Sequence, residues 1–189
     1  MARPLSEDKR TAILRAAAEV VARLGVSAPT AKIAKGAGVA EGTLFTYFAN
    51  KDELLNRLYL ELKIDLRDAM ITDYPAGKSL IDRSRHVWNR YIGWGSAHPL
   101  KLRAMRQLAV SDRITEESKK LVGDAFGEIN EMMLECAVGG VMRRQTPSFV
   151  SAIMSAIADT TMYFIAREPA QAKRYTKGGF DAFWKGVAG

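Results

Sequence analysis

Cysteine is nearly absent: Cys136 stands alone in a chain of 189 residues, so no intrachain disulfide can form and nothing calls for an oxidising compartment. Histidine is almost as scarce. His86 and His98 lie twelve positions apart, which does not match the close pairs of catalytic zinc motifs. One thiol and two distant imidazoles supply no set of nucleophile, base and orienting group, so an enzyme acting on a small hydrophobic substrate is the weaker reading, and no metal or cofactor is expected. There is no evident run of about 18 apolar residues, and none resembling a signal peptide before Ser6. No membrane partner is therefore expected, and the protein reads as cytoplasmic. Internal repeats and low-complexity tracts are also missing.

What is present describes a folded chain. Hydrophobic residues make up 48% and charged residues 26%, far from the composition of disordered proteins. Twenty-eight Lys and Arg against 21 Asp and Glu give a net charge of +7, the sign expected of a protein that meets a polyanion. Up to Arg57 there are nine basic and six acidic residues, an excess too modest for a protein that coats DNA irrespective of sequence. Sequence-independent DNA binding is thus the alternative reading.

The apolar spacing is helical throughout. Ile13, Leu14, Ala17, Val20, Val21 and Leu24 form one stripe after Ser6, a residue suited to capping, with Glu7 and Asp8 in the first turn and Gly25 as the stop. Lys9, Arg10, Arg15 and Arg23 occupy the other face as a solvated surface. A second helix is predicted over 29–37, ended by Gly38, a third over 41–48, and a fourth over 51–71 capped by Asn50. Longer pieces follow over 79–97, 99–110, 115–138 and 148–167 and from Pro169 onward, punctuated by Pro99, Gly139-Gly140, Pro147 and Pro169. The fold class is all-α, with about nine helices. A three-helix N-terminal unit (1–57) precedes a larger helical bundle (58–189).

Three short helices joined by tight glycine turns make a helix-turn-helix, whose last helix enters the DNA major groove. The run TAKIAKGAGVAEGTLFTYFANKDELL, Thr30 to Leu55, resembles the DNA-binding domain of the TetR (tetracycline repressor) family of transcriptional regulators, and the resemblance extends from about Arg10 to Leu58. Ile33, Val39, Leu44 and Phe48 should build a small core with Ile13, Ala17 and Val21. Glu41, Gly42, Thr43, Phe45, Thr46 and Tyr47 remain for the groove, a hydroxyl-rich aromatic surface suited to thymine methyls, base edges and phosphates. Glu41 either accepts from cytosine N4 or partners the helix dipole.

The resemblance implies that Thr43, Tyr47 and Lys51 contact backbone or bases. Lys51, opening the fourth helix, places a cation beside a helix N-terminus, and Thr30 and Lys32 are further phosphate ligands. Three positions depart from the family pattern. Phe45 replaces the usual Tyr and drops a hydroxyl, Ala40 stands where a Ser or Thr usually caps the recognition helix, and Pro29 replaces a Thr.

The resemblance also implies that the C-terminal bundle forms a homodimer and holds a small-molecule effector. Phe149, Ile153, Ile157, Thr160 and Phe164 share one helix face, and Gly178, Gly179 and Ala182 permit close backbone approach on the next helix, so these are the expected dimer residues. The aromatic and Met-rich set Trp88, Tyr91, Trp94, Met105, Phe126, Ile129, Met133 and Met162 reads either as ordinary core or as the lining of an effector pocket, with His98 and Arg103 as polar contacts. The expected function is a ligand-responsive regulator, a homodimeric repressor that binds a palindromic double-stranded DNA operator and is released by a small hydrophobic effector.

Overall fold

The computed structural model describes residues 6–138 and 140–188. Gly139, half of the expected Gly139-Gly140 helix stop, lies outside the described residues, as do the first five residues of the expected 1–57 domain and Gly189 at the end of the second. Among the described residues all regular structure is helical: α1 (Glu7–Leu24), α2 (Thr30–Gly36), α3 (Glu41–Tyr47), α4 (Lys51–Ile71), α5 (Leu80–Ala97), α6 (Pro99–Ala109), α7 (Glu116–Ala125), α8 (Gly127–Val138), α9 (Pro147–Arg167) and α10 (Ala172–Val187), with a 3-10 turn at Pro169–Gln171 before α10.

There is one more α-helix than expected, because the single helix predicted over 115–138 breaks at Phe126 into α7 and α8. Gly123 and Gly127 flank the break, and each weakens a helix interior by about 1 kcal/mol relative to alanine. The chain resumes at once, since the Asn130 N–H already bonds the Phe126 carbonyl at 2.9 Å.

Contacts gather the chain into two compact units, each made of two stretches. The first takes the chain up to Asp65 together with His98–Gly123, and the second takes Leu66–Ala97 together with the chain from Asp124 onward. This division differs from a split at 57/58, because α6 packs on α1. Besides the expected Ile13, Leu14, Ala17 and Val21, α1 also buries Ala16, Ala18 and Ala22, while Leu24 stays 49% exposed. A helix enclosed by both α2 and α6 needs small residues on more than one side. Gln107 Nε2 adds a bond to the Ala22 carbonyl (3.3 Å). Arg10 is drawn out of the solvated face by Glu61, at 3.0 Å.

In the second unit α5 packs against α8, α9 and α10. Trp88 is fully buried there, stacked on Phe183 (centroids 6.0 Å apart, planes 6° apart), and its Nε1 donates to the Thr176 carbonyl at 2.9 Å. The helix α9 amends one expectation. Pro147–Arg167 is long and apolar enough to cross a membrane by length and composition alone, with a mean hydropathy of 1.5 over a window of which 28% is buried. Val150, Met154, Ala158, Thr161 and Met162 form its buried stripe, and Phe149, Tyr163 and Phe164 are left outside.

Candidate nucleic-acid interface

The turn between α2 and α3 is shaped by Gly38, whose φ of 68° lies in the left-handed region that favours glycine. Ile33, Leu44 and Phe48 turn inward and are at most 2% exposed, and α3 packs on α2, which packs on α1; Val39 is only half-buried. That packing decides what α3 presents. Glu41, Gly42, Phe45 and Thr46 are exposed, Thr43 and Tyr47 are half-buried, and Phe45 keeps 42% of its surface in solvent. On the neighbouring elements Lys32 is exposed, and Thr30 and Lys51 are half-buried. All nine expected DNA-binding residues thus retain accessible surface in the first unit.

Several of them hold one another. Thr30 Oγ1 donates to Glu41 Oε1 at 2.5 Å, tying the starts of α2 and α3 together, a partner for Glu41 that neither sequence reading foresaw. Thr46 Oγ1 donates to the Gly42 carbonyl (3.1 Å), so its hydroxyl proton is used within the helix. Tyr47 Oη accepts from the Ser6 N–H at 3.0 Å, which fixes the start of α1 to the end of α3 and leaves the phenol proton to donate elsewhere.

The start of α4 is closed by a reciprocal cap: Asn50 Oδ1 accepts from the Glu53 N–H (2.8 Å) and Glu53 Oε2 from the Ala49 N–H (2.7 Å). Beside that carboxylate, the half-buried Lys51 ammonium opens the helix. Its pKa is lowered chiefly by burial and further by the nearby Arg113 cation, against the opposing pull of Asp52.

Ala40 is the N-cap of α3 and makes no side-chain bond, as its methyl requires. Ala40→Thr is expected to stabilise the protein by about 1 kcal/mol. A rise in the urea midpoint without a change in m would show it; an unchanged midpoint would mean that the first turn is satisfied by water.

The expected effector residues do not form one set. His98, Arg103 and Met105 belong to the first unit, where Met105 is core and His98 and Arg103 are exposed, so these two do not supply polar contacts to an interior cavity. Their place on α6 explains this, because its buried stripe is Leu102, Ala104, Met105 and Leu108. Tyr91, Trp94, Ile129, Met133 and Met162 are buried in the second unit and Phe126 is half-buried. Trp88 is filled by its aromatic neighbours and is core.

Six of the eight expected dimer residues come together, as a face within one chain. Ile157, Thr160, Phe164, Gly178, Gly179 and Ala182 line an open groove of about 610 Å³ between α9 and α10, with Arg174 and Tyr175 at its rim. Phe149 and Ile153 lie earlier on α9, one exposed and the other half-buried. Gly179 also has an inward duty: a Cβ there would stand 2.2 Å from Thr161 Oγ1 and 2.7 Å from Trp88 Cζ2. Gly178, by contrast, has open space around it.

Comparison with known proteins agrees with this geometry. The sequence pattern of the bacterial regulatory proteins of the tetR family matches residues 13–58, the stretch from α1 to the first turns of α4. The fatty acid metabolism regulator protein of Bacillus subtilis is 48% identical over 50 residues, which span 26% of each chain. The match thus covers about a quarter of that relative. The crystal structure of a TetR family transcription regulator from Marinobacter aquaeolei VT8 superposes with a TM-score of 0.79 at 22% identity, over 96% of both chains. A transcriptional regulator from Bacillus subtilis in complex with stearoyl-CoA superposes at 0.68 with 17% identity, over 94% of this chain and 99% of that one. At such identities the superpositions speak for the fold, and the helix-turn-helix match speaks for the family. Residues 13–58 thus carry the helix-turn-helix pattern of the TetR family, on a chain that has the fold of solved TetR family regulators.

Proposed function

We propose that the protein is a cytoplasmic, homodimeric transcriptional repressor that reads a palindromic operator with α3 and is released by a small hydrophobic effector. The observation that carries the DNA-reading part is the surface of α3. Phe45 is exposed between Gly42, Thr46 and the half-buried Thr43 and Tyr47, while Leu44 and Phe48 anchor the helix from behind. An aromatic ring left in water costs solvation and gains nothing inside the chain. Against a thymine methyl it gains apolar contact, and the neighbouring hydroxyls suit phosphates and base edges.

Dimerisation supplies what one short helix lacks. A seven-residue helix such as α3 offers few base contacts, and two copies spaced by one turn of the duplex, about 34 Å, read two half-sites together. The α9–α10 groove supports this reading, being open and mostly apolar. Burying it would also explain the membrane-like composition of α9. An effector then acts by binding more tightly to a form whose recognition helices no longer match consecutive grooves. Because a fold relative was solved with stearoyl-CoA, acyl-CoA thioesters are the first effectors to try.

The test is a genome-wide selection of DNA fragments by the purified protein at low and physiological salt. One palindromic site surviving physiological salt is the expected result, and its release by an acyl-CoA would identify the effector class. Uniform binding that disappears with salt would overturn the operator reading in favour of sequence-independent binding.

A further inference from the structure

The turn between α6 and α7 is remote in sequence from the DNA-reading helices, yet it is fastened to the first turns of α4. Asn56 spends both ends of its amide on this. Its Nδ2 donates to the Arg113 carbonyl (2.8 Å) as well as to Asp52 in its own helix (2.8 Å), and its Oδ1 accepts from the Thr115 N–H (2.9 Å) and Oγ1 (3.2 Å). The Arg113 N–H is held in turn by Ser111 Oγ at 3.2 Å. Ile114, the next residue, is 2% exposed and anchors the turn in the core. The backbone at Arg113 is therefore fixed on both sides, so its side chain starts from a defined place.

That side chain reaches the α4 terminus. Arg113 Nη1 meets Asp52 Oδ1 at 2.6 Å, a partner 61 positions away, and the two side chains are 42% and 58% exposed. An ion pair so exposed contributes about 0–1 kcal/mol, too little for stability to account for so elaborate a fastening. It brings a second cation to the residue that follows Lys51, so that Lys51 and Arg113 both serve the start of α4. Cations gathered at one place on a surface attract an arriving polyanion.

We propose that Arg113 is a phosphate-binding residue of the DNA interface, supplied from outside the helix-turn-helix and working beside Lys51 on the same stretch of backbone. This rests on the DNA-binding reading above. Asp52 acts as the orienting group: a planar guanidinium donates through Nη1 to the carboxylate and has further donors to turn toward a phosphate oxygen.

The experiment is a salt titration of full-length protein on a mixed-sequence duplex a few helical turns long, for wild type, Arg113→Ala and Arg113→Lys. Each phosphate neutralised contributes about 0.9 to the slope of log K against log salt. Arg113→Ala should lower that slope by about 0.9 per bound subunit, and Arg113→Lys should restore most of it. Arg113→Gln, which keeps a hydrogen bond to Asp52 and drops the charge, repeats the test if the alanine variant unfolds. An unchanged slope in the uncharged variants overturns the inference, whether or not affinity falls, because a purely structural role would weaken binding equally at every salt. A wild-type protein without any salt-dependent binding would instead remove the DNA reading itself.

Discussion

Gly178→Arg is expected to leave the chain folded but monomeric and to reduce operator binding to the level of arbitrary sequence, a loss of about 10³-fold or more. Gly178 lines the α9–α10 groove and has nothing within 4 Å of where a Cβ would stand, so one chain accepts the new side chain without displacement. Arginine is moreover a better helix former than glycine by roughly 0.5–1 kcal/mol, which favours α10. In the proposed dimer it could not share the groove with a second copy: a long cation would fill the space where the two backbones would approach, and both subunits would carry one. Sedimentation would give the assembly state and a competition assay the loss of specificity. A Gly178→Arg dimer, or a monomer that still binds the operator as tightly as wild type, would refute the assignment of this groove.

The neighbouring glycine cannot serve for that experiment, although it lines the same groove. A side chain at Gly179 would strike Thr161 and the Trp88 ring within its own chain, at 2.2 and 2.7 Å. Overpacking of that kind costs about 1–3 kcal/mol and sometimes more, so loss of binding in a Gly179 variant would report misfolding as readily as lost dimerisation. Adjacent residues on a helix point about 100° apart. One glycine faces the groove, and its neighbour closes the contact between α10, α9 and α5.

Trp88→Ala should destabilise the protein by about 3–5 kcal/mol, enough to threaten folding of the second unit at ordinary temperature. The ring is fully buried, stacks on Phe183 at 6.0 Å and meets Phe180 edge-on at 6.4 Å. Removing it leaves a cavity, strips two aromatic partners and takes away the donor to the Thr176 carbonyl. Chemical denaturation would measure the loss. An effector-pocket residue would behave differently, since its removal enlarges an existing space and changes ligand affinity while stability falls little. A near-normal midpoint together with altered effector response would therefore return Trp88 to the pocket.

Much of the first unit was legible because its signals are local. Gly38 marks a left-handed turn, and Asn50 with Glu53 three residues later marks a helix start. Ile33 on α2, Leu44 on α3 and Phe48 just after it are the apolar residues that these short elements have to bury, and residues 13–58 carry the family pattern. The outward set on α3 follows by subtraction once its inward set is known. Periodicity also put Ile157, Thr160 and Phe164 on one face of α9, where they line the groove, whereas Phe149 and Ile153 of the same expected face do not.

The sequence by itself thus determined the helices, most of their ends, the helix-turn-helix and the accessible residues on α3. Each depends on residues within about one or two turns of one another, where spacing and capping chemistry act directly. Tertiary structure alone decided that α6 packs with α1, that Trp88 packs on Phe180 and Phe183, that Glu41 is held by Thr30, and that Arg113 pairs with Asp52. These pairings join residues tens of positions apart or on different helices. Periodicity says which face of a helix is buried and carries no information about which distant side chain it meets; that choice is made by the packing of whole helices, where volume, charge and hydrogen-bond partners must be satisfied together.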